Sequence, residues 1–172
     1  MRFLQTSDWQ WGMTRRWFSE ADQARFTQAR NDAVVRAGQV AAEHGCAFMV
    51  VAGDVFDSNQ LGRDTVRRAM EALRQVPVDV YLLPGNHDAL DAASIYDQEV
   101  FTGAGLGHVH VLRDSEPVTV AEGVELVGVP LTTNQPDRDV VAEVLDLLDP
   151  PADGVRRVLV AHGQLRELDP GH

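Results

Sequence analysis

The sequence contains no lysine and a single cysteine, and its apolar runs are short. One cysteine, Cys46, cannot close an intrachain disulfide, so a reducing, cytoplasmic setting is expected, with Cys46 as a buried thiol heading an apolar run. Runs such as FMVVA at 48–52 fall far short of the roughly 20 apolar residues of a membrane-spanning helix. The amino end, MRFLQTSD, has no basic region leading into a long apolar stretch, which argues against a signal peptide. Cationic charge is also scarce: Asp and Glu number 26 against 15 Lys plus Arg, for a net charge of −11 and a pI near 4.8. Such a balance excludes a general basic surface as the means of holding nucleic acid. Every basic residue is arginine. Codon bias accounts for that without a functional reason, although arginine is also the better bidentate phosphate ligand.

What is present is enough apolar material for one core: 172 residues, 44% hydrophobic, which fits a single domain over 1–172. No repeat, low-complexity tract or Ser/Gly linker interrupts it. Apolar runs alternate with amphipathic stretches, which predicts an α/β architecture. A strand over about 2–7 leads into the loop SDWQWGMTRR, and Ser19 caps a helix with Phe26, Ala33, Val34, Ala37, Val40 and Ala41 inward, ended by Gly45. CAFMVVAG is apolar on both alternations and reads as a strand covered on both faces. A helix over about 64–76 with Val66, Ala69, Met70 and Leu73 inward stops before Pro77, and the strand VDVYLLP follows. Next come a helix over about 93–102, the strand HVHVL, and a hairpin of PVTVA and VELVGVPL turning at Glu122 and Gly123. A helix from Asp137 to Leu148, with Val140, Val141, Val144, Leu145 and Leu148 inward, precedes the strand VRRVLVAHG.

Four segments share one layout: an apolar strand ends, and Asp, Asn or His stands just beyond it, in SDWQ, GDVFD, GNHD and AHG. In open α/β sheets ligands bind outside the carboxyl ends of the strands, so these loops can converge despite their separation in sequence. Carboxylates of Asp8 and Asp54, the Asn86 amide and the His162 imidazole suit hard or borderline divalent ions, and one cysteine excludes a thiolate-rich zinc site.

FLQTSDWQWG, GDVFDSN at 53–59, LLPGNHD at 82–88 and VLVAHG at 158–163 together resemble the calcineurin-like metallophosphoesterases, and within them the SbcD-type nuclease subunits of bacterial DNA repair complexes. The resemblance covers nearly the whole chain and implies a four-layer α/β/β/α sandwich. It implies two divalent metal ions, manganese first and magnesium second, with Asp54 bridging, Asp8 on one ion, and Asn86 and His162 on the other. His87 would stabilise developing charge or protonate the leaving oxygen, with Asp88 orienting its ring. Two cations about 3.5–4 Å apart clamp a phosphate and make hydroxide from water near neutral pH. The partners implied are DNA and an SbcC-type ATPase subunit, with a homodimer allowed and no membrane.

The chain departs from the family pattern twice. The first loop runs Asp8, Trp9, Gln10 where the family has Asp, any residue, His, and Gln10 is a weaker ligand for most transition metals through its amide oxygen. The family's closing Gly-His-any-His segment has no counterpart after AHG, and no strand presents Gly171 and His172, so the domain is expected to be incomplete at its carboxyl end and weakly active or inactive alone. Gly107 to His110 match that pattern in letters but open a strand, and are expected to be structural. Asp57 reads as a loop cap or arginine partner. Trp9, Trp11 and Trp17, with Arg15 and Arg16, offer either core packing or an aromatic and basic edge for a nucleic-acid strand. Arg63, Arg67, Arg68 and Arg74 read as the solvated side of the second helix. The leading expectation is a manganese-dependent exo- and endonuclease acting on DNA in double-strand-break repair. The alternatives are a phosphodiesterase or phosphatase for nucleotides or phosphoproteins, and a metal-poor scaffold.

Overall fold

Because strand side chains alternate between faces, a strand apolar at every position must be covered on both sides. Phe48–Ala52 (β2), and Asp79–Leu83 (β3) apart from its exposed first residue Asp79, meet that condition in the computed structural model of the protein, which describes residues 1–163. With Leu4–Thr6 (β1) and Val109–Val111 (β4) they form a parallel sheet in the order β1-β2-β3-β4. On one face Met49, Val51, Val80 and Leu82 pack against Val34 of Glu20–Glu43 (α1) and Val66, Ala69, Met70 and Leu73 of Arg63–Leu73 (α2). On the other, Phe48, Val50, Tyr81 and Leu83 meet Leu126 and Val160 of a second sheet. Each such fully buried aliphatic or aromatic side chain contributes roughly 1.5–3 kcal/mol.

That second sheet runs Val118–Ala121 (β5), Val124–Val129 (β6) and Arg156–Ala161 (β7), with β5 antiparallel and β7 parallel to β6. Val140–Leu147 (α4) makes the crossover from β6 to β7 and packs on β6. The layers are therefore helices, parallel sheet, mixed sheet and helix, which is the α/β/β/α arrangement expected.

The differences lie at element ends and in the outer layer. Ser19 caps α1 by accepting from Asp22 N (3.1 Å), and the helix ends at His44 and a left-handed Gly45 as expected; Val34 and Ala41 are buried and Ala37 packs on the core as expected, joined by Gly38, while Ala33 is exposed. The helix expected over 93–102 is two pieces, a 3-10 turn at Ile95–Asp97 and Glu99–Thr102 (α3), because Asn59 accepts from Ile95 N (2.9 Å) and Gln98 donates to Asn59 O (3.0 Å), pulling the chain into an extended Gln98. No residue of α4 is buried, and Leu145 is 55% exposed. Cys46 is half-buried. Among the described residues no helix is long and apolar enough to cross a membrane.

Candidate metal centre

The loops that leave β1, β2, β3 and β7 at their carboxyl ends meet at one edge of the two sheets. The first two run side by side: Asp8 N–H donates to Gly53 O (3.0 Å), Gln10 N–H to Asp54 O (2.9 Å) and Trp11 N–H to Val55 O (2.9 Å), with Asp57 N–H returning to Trp11 O (2.9 Å). To follow that path Asp8, Gln10 and Asp54 adopt left-handed backbone, with φ of 55°, 43° and 55°. Non-glycine residues in this region carry about 1–3 kcal/mol of strain each, and such residues cluster at functional sites. All three of the chain's non-glycine examples among the described residues lie in these two loops.

Ligand atoms of Asp8, Asp54 and His162 lie within 4.8 Å of one another. Neighbouring ligands of one cation stand about 3–3.5 Å apart at bonds of about 2.0–2.2 Å, so the side chains of this cluster close by about an ångström or more to hold an ion. Asn86 adds an amide oxygen 3.0 Å from His162 Nε2, and Asp54 Oδ1 is 3.3 Å from the same nitrogen. On the far side of the ring His162 Nδ1 is 2.8 Å from Ala52 O. Donation from Nδ1–H to that carbonyl turns Nε2 to the cluster, the orientation a metal-ligating imidazole needs. Two carboxylates, an amide oxygen and a correctly turned imidazole are a donor set that fits divalent cations.

Charge is arranged to match. The hydrogen bond to Asp54 pushes the His162 pKa up to about 9, against a lowering by burial. Burial works to raise the Asp54 pKa, but hydrogen bonds from His162 and from His87 N–H (3.1 Å) win, and the net shift is downward. In the cation-free protein a proton on His162 thus offsets the Asp54 carboxylate.

Two glycines make room for the cluster. A Cβ at Gly53, where φ is +92°, would overlap the His162 ring, and one at Gly85 would overlap the Asp54 carboxylate. The glycines of GDVFD and GNHD are therefore required by close approach as well as by backbone conformation.

His87 is 40% exposed at its side chain, with Nε2 3.8 Å from Asp54 Oδ2. Its Nδ1 lies 3.0 Å from Asp57 O and 4.0 Å from Asp57 Oδ1. The expectation that Asp88 orients this ring is corrected: Asp88 is buried and accepts from Gly85 N–H (2.7 Å), Phe56 N–H (3.0 Å) and Tyr96 O–H (2.6 Å). Neighbouring side chains in this loop diverge, so His87 faces out and Asp88 faces in. Burial raises the Asp88 pKa, the three hydrogen bonds offset part of that shift, and the carboxyl ties the GDVFD and GNHD loops together. The orienting acceptor on His87 is a backbone carbonyl, Asp57 O, which a reading of side chains does not find. Asn59, the last residue of GDVFDSN, was also given no role by the sequence, yet it is buried and holds Ala89 O (2.8 Å) and Ile95 N (2.9 Å).

Gln10 stands in the Asp8 loop, its backbone N–H donating to Asp54 O (2.9 Å). Gly171 and His172 lie outside the described residues. His108 Nε2 is 3.1 Å from Leu73 O and the His110 ring stacks on Tyr81, so both sit on the β3-β4 edge, away from the cluster. Trp9 and Trp11 are buried, whereas Trp17 is 77% exposed with the Arg15 guanidinium 5.9 Å from its ring. On α2, Arg67 pairs with Glu71 (2.6 Å) and Asp64 (3.5 Å).

Comparison with known proteins agrees with this geometry. Among the solved structures that match, one does so with a TM-score of 0.52 at 16% identity, over 91% of this chain and 66% of that one, a likeness of fold; this chain spans just under two thirds of that structure's length. No curated protein sequence matches. The family model described as calcineurin-like phosphoesterase matches residues 1–170, and its members are metal-binding hydrolases of phosphoesters. This chain belongs to the calcineurin-like phosphoesterase family.

Proposed function

We propose that the chain is the nuclease portion of a DNA repair enzyme, hydrolysing DNA phosphodiesters with two divalent ions, manganese first. The observation that carries hydrolysis is the convergence of Asp8, Asp54, Asn86 and His162 beside an outward-facing His87. Asp54 would bridge the ions, Asp8 and Gln10 hold one, and Asn86 and His162 hold the other. When bound, such ions supply Lewis acidity toward the phosphoryl oxygens and activate water.

The chain's own residues do the rest. Asp57 O accepts from His87 Nδ1–H and turns Nε2 toward the cluster, where it delivers a proton to the leaving oxygen. Asp88 acts on the ring only through the backbone, by fixing the loop that carries it. The exposed Arg15 and Trp17, on the loop that Asp8 begins, supply a cation and a stacking face for a strand, which favours DNA. An SbcC-type ATPase and a second copy of the chain are the partners this reading carries, in the cytoplasm.

The net charge of −11 favours a second reading, a phosphodiesterase for free nucleotides. Incubation with Mn²⁺ and linear duplex DNA, beside bis(p-nitrophenyl) phosphate, separates the two. Cleavage of both supports the nuclease, and cleavage of the small diester alone supports the second reading. In a preparation that shows turnover, His87→Ala should abolish it and leave metal bound; unchanged turnover removes His87 from the mechanism.

A further inference from the structure

A cleft of about 420 Å³ opens directly beside His87 and Asn86, within the size range of small-molecule sites. Its walls are formed by the Asp57–Gln60 stretch, the turn that follows Asp88, and Asn134 and Gln135. No arginine lines it, while two carboxylates, Asp57 and Asp91, do. Asp91 is engaged by Asn59 Nδ2 (3.2 Å) and Ala93 N–H (2.8 Å), and Asn59 is itself spent on Ala89 O and Ile95 N. The amides of Gln60, Asn134 and Gln135 are on exposed residues of the rim.

The loop bearing Asn134 and Gln135 is fastened to the GNHD segment. Leu131 N–H donates to Pro84 O (3.2 Å) and Leu90 N–H to Leu131 O (2.8 Å), so the two amides are presented to the His87 side of the centre. The electrostatics select the occupant. Beyond His87, which is committed to the reacting phosphate, a second phosphate entering the cleft meets two carboxylates and neither arginine nor lysine, whereas an uncharged group rich in donors and acceptors meets side-chain amides that offer both.

On the reading that His87 protonates the leaving oxygen, the cleft on its side receives the leaving group. We propose that this cleft is a leaving-group subsite for a nucleoside, and that Gln60, Asn134 and Gln135 determine its specificity. The next phosphate of a polynucleotide lies outside the cleft. The proposal rests on the phosphodiesterase reading only for the word leaving; occupancy by a nucleoside is independent of it.

The test is a ¹⁵N titration of the metal-free 172-residue chain with thymidine, with inorganic phosphate as the comparison, followed at the side-chain NH₂ resonances. Saturable shifts at Gln60, Asn134 and Gln135 are expected with thymidine and not with phosphate. Asn134→Ala with Gln135→Ala should weaken thymidine binding about tenfold, as expected for two modest hydrogen bonds. No shift with thymidine, stronger shifts at the same amides with phosphate, or unchanged affinity in the double variant overturns the proposal. A parallel assay of the Mn²⁺-loaded chain on bis(p-nitrophenyl) phosphate separates the failures. Turnover without thymidine binding defeats the subsite alone, and thymidine binding without turnover upholds the subsite whatever the fate of the hydrolytic reading.

Discussion

Metal binding at this centre should release a proton, and the structure says how much affinity that costs. His162 Nε2 faces Asp54 Oδ1 at 3.3 Å, and its pKa in the cation-free protein is pushed up to about 9. An imidazole binds metal only in its neutral form, so the cation must displace that proton. At pH 7 a group with this pKa is neutral in about one molecule in a hundred, a penalty of about 2.7 kcal/mol at 1.36 kcal/mol per unit. Apparent affinity for Mn²⁺ should therefore climb about tenfold per pH unit from 6.5 to 8.5 and level off near 9. Calorimetric titration at pH 7 in two buffers of different ionisation enthalpy counts the protons, and about one per His162-bound ion is expected. His162→Gln should bring the count close to zero. Affinity independent of pH over that range, with no proton released by the unsubstituted chain, would refute the assignment of His162 as a ligand held protonated by Asp54. The same linkage fixes the sign for stability. The raised His162 pKa gives stability that is full below about pH 6.5 and is lost as pH rises through about 9, so the metal-free chain should melt earlier at pH 9 than at pH 6.5.

Three further substitutions probe the frame around the centre. Gly85→Ala drives a Cβ into the Asp54 carboxylate and backbone, so thermal denaturation should show a loss of about 1–3 kcal/mol, with metal affinity falling together with it; a wild-type melting curve contradicts the close approach. Tyr96→Phe removes the 2.6 Å hydrogen bond to buried Asp88 and should cost about 1–3 kcal/mol in urea unfolding while metal stoichiometry is unchanged. Gln10→His should raise affinity at the metal position shared with Asp8, and a titration with no change assigns Gln10 to substrate or loop structure instead.

How far the sequence could be read depended on whether a feature belongs to side-chain pattern or to loop backbone. β2 was legible because every position is apolar, β3 because every position but Asp79 is, and α2 because Val66, Ala69, Met70 and Leu73 recur at helical spacing. Asp8, Asp54 and His162 were legible as polar residues immediately beyond strand ends, and the fold brings them together. The divergence of His87 and Asp88 was not, since backbone dihedrals in the loop decide it and no periodicity reports them. Nor was the Asp57 carbonyl on His87, because a backbone acceptor carries no residue signature. Left-handed backbone at Asp8, Gln10 and Asp54 is hidden for a related reason: these residue types do not announce it as glycine does. The apolar stripe of α4 was overread, since amphipathic spacing shows which face turns inward without showing how much there is to cover it.

The central claim is that four loops build one divalent-metal centre. Anomalous diffraction from crystals of this chain soaked in Mn²⁺ tests it most directly. A peak within bonding distance of Asp8, Asp54 and His162, with Asn86 as a further ligand, is the predicted result. Full occupancy elsewhere on the surface, with no peak at Asp54, would contradict it.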